Sequence, residues 1–202
     1  MQLYYAPGAC SMAAHIVLRE AGYAVDLERV DLATGTLSDG RDYATVNPKG
    51  YVPALALDNG QVLTEVAAIL QYLADPRPDL KLSMLPPDLA HYRLLEWLNF
   101  ISTEVHKTLG ALFNPQFPAT CRAVPIALLR RRCDWLASAL GAGPFLMGAQ
   151  YTIADPYLFT VLNWTAALDI DLSPWPGLQD YLGRVAARPA VQETFKAEGL
   201  AG

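Results

Sequence analysis

The chain has 202 residues, 52% hydrophobic and 17% charged, a balance that excludes a disordered polyelectrolyte and allows one or two packed domains. Its net charge is −5, and its densest basic stretch, Arg130-Arg131-Arg132, reads as the solvated face of a helix, so nucleic acid is not an expected partner. No apolar run approaches the roughly 20 residues of a bilayer span, and Met1-Gln2-Leu3-Tyr4-Tyr5 lacks the basic and apolar parts of a signal peptide, so no membrane partner is expected either.

The first eighty residues change character often. Gln2 to Tyr5 reads as a strand and Ala6-Pro7-Gly8-Ala9 as a turn. Ser11 to Ala21 has helical spacing, with Ala14, Val17, Leu18 and Ala21 on one face and Gly22 as the stop. Asp26 to Val30 alternates as a second strand should. A polar stretch follows, with one short helix near Arg41 to Thr45. Val52 to Leu57 and Gln61 to Leu63 are two further strands joined at Asp58-Asn59-Gly60, where Asn-Gly is expected to supply the positive φ angles of a tight hairpin. Thr64 to Ala74 is a helix, with Thr64 available as its N-cap. The order β-α-β, loop, β-β-α makes the first two strands parallel and the last two antiparallel.

Residues 75–88 hold Pro76, Pro78, Pro86 and Pro87, show no periodicity, and read as a linker. Beyond them every element is helical: Pro87 to about Gly110, Ala119 to Leu140 with a break near Pro125, Thr152 to about Leu168, Gly177 to Ala187, and Pro189 to Glu198. Thr152-Ile-Ala-Asp155 is a capping box in which Thr152 accepts from the Asp155 N–H and Asp155 reaches back to Thr152. Two domains are therefore expected, an α/β unit over 1–80 and an all-helical unit over 87–202.

Three cysteines without a Cys-x-x-Cys pair make no disulfide framework and suit a reducing, cytoplasmic setting. The scattered His15, His91 and His106 give no zinc spacing. Cys10 is the candidate of most chemical interest. It lies where a strand turns into a helix, and a helix N-terminus favours a thiolate through its partial positive charge and unpaired N–H groups. Against that stands the plain reading of a small buried hydrophobe. Locally, Val52-Pro53 reads as an ordinary trans bond. Glu65 reads either as a favourable charge on the helix dipole or as the partner of a ligand ammonium, with the Val66 N–H open to a carboxylate. Asn99, Thr103, His106 and Gly110 fall at i, i+4, i+7 and i+11 beside the apolar Leu95, Leu98, Ile101 and Val105, so they form either a solvated face or one wall of a cleft.

Taken together, these pieces resemble the glutathione transferase family, and more narrowly its bacterial beta class. The motifs are Leu-Tyr-Tyr-Ala-Pro-Gly-Ala-Cys-Ser at 3–11, Asn-Pro-Lys-Gly-Tyr-Val-Pro at 47–53, Leu-Thr-Glu at 63–65, Glu-Trp-Leu-Asn-Phe at 96–100, Glu-Val-His-Lys at 104–107, Thr152 to Asp155, and Asp-Leu-Ser-Pro-Trp-Pro at 171–176. The resemblance implies a thioredoxin-like domain followed by an all-α domain, glutathione as co-substrate, no metal, and a homodimer. It places Cys10 beside the glutathione sulfur and pairs the Val52 backbone, before a cis Pro53, with the cysteinyl part. It puts Glu65 and Val66 at the γ-glutamyl end, and lines the site with Asn99, Thr103, Glu104 and His106. The implied catalytic set is Cys10, His106 and Lys107, with Trp164 closing the cleft. Where the family often carries a lysine for the glycyl carboxylate, this chain has Gly35, so either glutathione binding is weakened or that work shifts to Lys49 or to a backbone N–H. The residue after Glu65, often small in the family, is Val66, which tightens the space at the γ-glutamyl end.

The first functional expectation is conjugation of glutathione to hydrophobic electrophiles, a detoxification role, with a pocket near Leu109, Leu112, Phe113 and Trp164. The second is glutathione-dependent thiol-disulfide exchange or reductive dehalogenation through the Cys10 sulfur itself. The third is a non-catalytic ligand-binding module.

Overall fold

The structure is a computed structural model that describes residues 1–200. In chain order its elements are β1 (Gln2–Tyr5), α1 (Ser11–Glu20), β2 (Asp26–Asp31), β3 (Thr36–Leu37), β4 (Ala54–Ala56), β5 (Val62–Thr64), α2 (Val66–Ala74), α3 (Leu89–Phe100), a π-helical segment (Ile101–His106), α4 (Lys107–Leu112), α5 (Ala123–Leu140), α6 (Ala154–Ala167), α7 (Pro176–Ala186) and α8 (Pro189–Glu198). They form two compact units, Met1–Leu80 with the chain from Arg188 onward, and Lys81–Ala187.

The first unit is built on a mixed sheet of order β3-β2-β1-β4-β5. β1 and β2 are parallel, with Tyr4 opposite Glu28, while β4 runs antiparallel to both β1 and β5. Strand alternation sends Leu3 and its partner Leu55 to one face, and Tyr4 and its partner Ala54 to the other. On the second face Tyr4, Ala6, Val30, Leu37, Tyr43, Val52 and Ala54 make a buried cluster. The two-residue β3 is defined by its pairing with β2 and has no alternation of its own to announce it.

The β4–β5 hairpin departs from the expected pair of positive φ angles. Only Gly60, with φ +83°, is left-handed, and the loop closes through Leu57 N–H to Gln61 C=O at 2.8 Å and Gly60 N–H to Leu57 C=O at 2.9 Å. A three-residue connection needs one left-handed residue after an ordinary turn, and glycine supplies it. The expected one-sided helix over 11–21 is also corrected. Ser11 through Leu18 are all buried, because α1 packs against both α2 and α8. The return of α8 to α1 across the length of the chain carries no local signal.

In the second unit the long helix expected from Pro87 begins at Leu89, capped by Asp88, which accepts from the Ala90 N–H. Between Ile101 and His106 it becomes π-helical, with Lys107 N–H reaching Ser102 C=O, before α4 resumes an α-helical course. Leu94, Leu98, Ile101, Val105 and Leu109 are its fully buried side chains and face the unit's core. The expected break near Pro125 does not occur. Pro125 lies in the first turn of α5, where a missing N–H costs no helix bond. The Arg130–Arg132 stretch is only partly a solvated face. Arg130 lies over the Trp175 ring at 5.8 Å, and Arg132 Nε donates to Glu104 at 2.8 Å.

The capping box ahead of α6 has one of its two expected bonds: Asp155 reaches back to the Thr152 N–H, but the Thr152 side chain does not accept from the Asp155 N–H. The Asp155 N–H goes to the Thr152 carbonyl, and the Thr152 hydroxyl points at Asp155 Oδ2 instead of accepting. The buried Asp155 carboxylate accepts from Thr152 N–H at 2.8 Å and from Leu146 N–H at 2.9 Å, with the Tyr181 hydroxyl 3.2 Å away. Burial pushes this carboxyl up to about 6, against those hydrogen bonds, which pull it down.

A raised folded-state value means that the folded chain binds the proton more tightly than the unfolded chain does. The stabilising contribution of this proton is complete below the ordinary 3.8 and is lost as pH rises through about 6. Between pH about 4 and about 7 the wild type should lose on the order of 3 kcal/mol relative to Asp155→Asn. Urea midpoints of both proteins across that range measure it; parallel profiles would contradict the assignment.

Candidate functional site

In the first unit the site begins with the turn between β1 and α1. Gly8 adopts φ +69°, a conformation costly for other residues, and its N–H donates to Glu198 Oε2 at 2.9 Å. Glu198 Oε1 lies 2.8 Å from Nδ1 of the buried His15, and Arg19 Nε donates to His15 Nε2 at 3.2 Å. With Nε2 accepting, the ring proton sits on Nδ1 and is donated to Glu198. The Ser11 hydroxyl bridges back to Ala6, receiving its N–H and donating to its carbonyl at 3.2 Å each. The turn that carries Cys10 is thus held from both ends. No local sequence pattern assigns this role to Glu198 or His15.

Cys10 occupies the N-cap position of α1, as its place in the sequence suggests. Its chemistry differs from the thiolate expectation. Burial drives the thiol up to about 12, outweighing the backbone N–H groups of Cys10 and Ser11, which pull it down; the charge of Glu65 adds to the rise. The sulfur therefore carries its proton and donates it to the Val52 carbonyl at 3.0 Å.

The 47–53 motif has a visible task. The buried Asn47 donates through Nδ2 to the Tyr51 carbonyl at 2.6 Å, and the Tyr43 hydroxyl donates to the same oxygen at 2.9 Å. This fixes the backbone immediately before Val52. The Val52–Pro53 bond is cis, unlike the local trans expectation.

Glu65, not Thr64, takes the N-cap position of α2, and it does so at φ +71° with no side-chain capping bond. A non-glycine residue in that region costs on the order of 1–3 kcal/mol. Its side chain is exposed and accepts from Lys49 Nζ at 2.7 Å; the same ammonium donates to Thr64 Oγ1 at 3.0 Å. Lys49 is thus directed to the Glu65 end of the site. Val66 opens the helix, with its side chain buried.

In the second unit the expected polar stripe is only partly a set of outward-facing groups. Asn99 Nδ2 donates to the Leu95 carbonyl at 2.8 Å, and the Thr103 hydroxyl donates to the Asn99 carbonyl at 3.0 Å, so both bond back to their own helix. Glu104 turns toward α5 and its Arg132. Lys107 is exposed. His106, the last residue of the π-helical segment, has Nδ1 2.8 Å from the Tyr157 hydroxyl. Its ring also meets Trp164 edge-on at 5.1 Å, and Phe113 meets Trp164 at 5.6 Å. Leu109 and Leu112 do not serve as pocket walls: they are buried core, whereas Phe113 is exposed. Tyr157 was missed in the sequence, although its spacing of seven from Trp164 puts both on one helix face. Among the described residues, no group of three or more His, Cys, Asp or Glu side chains is placed to hold a metal ion, and no helix is long and apolar enough to cross a membrane.

Comparison with known proteins adds an independent observation. Residues 8–75 match the family model of the glutathione S-transferase N-terminal domain, and residues 126–184 that of the C-terminal domain. Glutathione S-transferase GstA of Escherichia coli O157:H7 is 45% identical over 200 residues, spanning 99% of this chain and 100% of that one. A beta class glutathione S-transferase from the bacterium Sphingomonas chungbukensis superposes with a TM-score of 0.96 at 43% identity, covering 100% of both chains. A sphingomonad glutathione S-transferase solved with glutathione gives 0.94 at 42%, also over 100% of both.

The protonated state of Cys10 has a direct consequence. Because the thiolate is the nucleophile, iodoacetamide at pH about 8 should alkylate the exposed Cys121 at least about tenfold faster than Cys10. Time-resolved peptide mass spectrometry reads both rates. Cys10 reacting first would contradict the half-buried, hydrogen-bonded thiol.

Proposed function

The chain belongs to the glutathione S-transferase family, and from that premise we propose that it is an enzyme conjugating glutathione to hydrophobic electrophiles in a cytoplasmic, detoxifying role. The observation that carries this reading is the Cys10 sulfur held 3.0 Å from the Val52 carbonyl, at the start of α1. It joins a sulfur-lined position to a strand end of fixed backbone, which is what a cysteinyl peptide pairing as an added strand requires.

In this proposal the Val52 backbone, next to Pro53, pairs with the cysteinyl part of glutathione, and Cys10 neighbours its sulfur. The Glu65 carboxylate accepts from the ligand ammonium while Lys49 steadies it, and the Val66 N–H at the start of α2 donates to the γ-glutamyl carboxylate. Asn99, Thr103, Glu104, His106 and Lys107 are assigned to the same ligand by resemblance, with some contacts supplied across a homodimer. Asn99 and Thr103 must then exchange hydrogen bonds to their own helix for bonds to the ligand.

The reacting thiol in this scheme belongs to glutathione, since conjugation bonds its sulfur to the electrophile, and the Cys10 thiol, donating to the Val52 carbonyl, is its neighbour. An unperturbed thiol is ionised only to a few per cent at pH 7, so any group that stabilises the glutathione thiolate raises the rate directly. His106 is the group in the site's inventory suited to hydrogen bonding or proton transfer near neutral pH. Electrophile choice falls to apolar surface such as exposed Phe113 beside Trp164, and apolar walls discriminate weakly, by about 1–3 kcal/mol per methylene.

Cys10→Ala separates this reading from a redox one. With a chlorodinitrobenzene-type substrate the variant should keep conjugation within about threefold of wild type, since an uncharged thiol contributes little beyond packing. It should lose any glutathione-dependent disulfide reduction. Loss of conjugation in a variant with an unchanged circular dichroism spectrum would sink the proposal.

A further inference from the structure

Lys49 reaches the start of α2 from a turn that is tied down on both sides. The buried Asn47 accepts the Lys49 N–H through Oδ1 at 3.2 Å, and the Asn47 carbonyl accepts the Gly50 N–H at 2.9 Å. Gly50 itself is left-handed, at φ +71°. From this braced segment the Lys49 ammonium donates to Glu65 Oε1 at 2.7 Å and to Thr64 Oγ1 at 3.0 Å. All of these residues belong to the first unit.

The donors and acceptors of the pair are not used up. An ammonium carries three N–H donors, and Lys49 spends two of them on Glu65 and Thr64. A carboxylate has two oxygens, and Glu65 Oε2 accepts no hydrogen bond among the described residues, whereas Oε1 accepts from Lys49. One N–H and one oxygen are thus left side by side, on side chains 51% and 68% exposed and so within reach of a ligand. A lone ammonium gains little from such a pair, because repulsion by Lys49 offsets much of the attraction to Glu65. A lone carboxylate meets the mirror image of that balance. A group with both charges on one carbon closes a ring of four charges in which every neighbour is opposite in sign.

We propose that Lys49 is a specificity-determining residue that binds the α-carboxylate at the γ-glutamyl end of the ligand, so that Lys49 and Glu65 together recognise its zwitterionic amino-acid head. This rests on the reading above in which Glu65 accepts from the ligand ammonium, and it deepens that reading by giving Lys49 a contact of its own. Glu65 Oε2 takes the ammonium, and the spare Lys49 N–H joins the Val66 N–H on the carboxylate. Lys49 is then not the partner of the glycyl carboxylate. The ligand class is thiols that carry a free α-amino-acid end.

The test measures dissociation constants by titration calorimetry for three thiols: glutathione, 4-aminobutanoyl-cysteinylglycine, which lacks only the α-carboxylate, and glutathione glycinamide, which lacks only the glycyl charge. Lys49→Met should weaken glutathione roughly fivefold, the scale of an exposed charge pair, and Lys49→Arg should restore most of that loss. With the thiol that lacks the α-carboxylate, the effect of Lys49→Met should shrink below about twofold, since both changes delete the same contact. With the glycinamide the full effect should persist. Unchanged glutathione affinity in Lys49→Met would overturn the proposal. So would an equal loss with all three thiols, which makes Lys49 only a brace for Glu65, or a loss that disappears with the glycinamide, which returns Lys49 to the glycyl carboxylate. Glu65→Gln tests the premise separately. A loss of glutathione affinity that is absent for glutaryl-cysteinylglycine, which lacks the ammonium, upholds the premise, so that a null result at Lys49 then overturns the proposal alone. Unchanged glutathione affinity in Glu65→Gln overturns the premise and the proposal together.

Discussion

The position of the first unit's sulfur depends on one buried carboxylate. Glu198 is removed from water and satisfied by two partners on the turn and helix at the other end of the chain, the Gly8 N–H and His15. An unpaired carboxylate in such a place is expensive, so the Gly8 turn and α1 cannot move away from α8 without exposing that cost. Gly199, in the left-handed conformation at φ +70°, ends α8 directly after the residue that carries the contact. The chain thereby ties its final helix to the turn in which Cys10 sits, and Cys10 in turn reaches the strand end at Val52.

At Cys10 two physical effects oppose each other. A helix N-terminus offers partial positive charge and N–H groups, which favour an anion; burial removes the water that an anion needs. Here burial wins, and the thiol spends its proton on the Val52 carbonyl. The same N-terminal field remains available to a sulfur anion that arrives with a ligand. Glu65 adds to the rise at Cys10 through its negative charge.

Much of this was legible in the sequence wherever a pattern is local. Strand alternation and the Asn59-Gly60 turn revealed the hairpin, and 3.6-residue spacing revealed the helices, with Pro189–Glu198 placed to the residue. The motif at 47–53 pointed to Val52, and the structure shows why Asn47 stands there. What local pattern cannot carry is a partner distant in sequence. The hydrogen bond of Cys10 goes to Val52, 42 residues on, and the all-round burial of α1 depends on α8. The two-residue β3 exists only through its neighbour. Helical spacing groups Asn99, Thr103 and His106, but spacing cannot tell a side chain that faces outward from one that bonds to its own helix carbonyl, as Asn99 and Thr103 do. For His106 the decisive partner, Tyr157, lies on another helix.

The central claim is that glutathione is held by the backbone at Val52 and the start of α2, with its sulfur beside Cys10. The most direct measurement is an amide ¹H–¹⁵N titration of the wild-type protein with reduced glutathione. The account predicts that the largest shifts fall at Cys10, Val52, Glu65 and Val66. Saturable binding that leaves those four amides unmoved would contradict it.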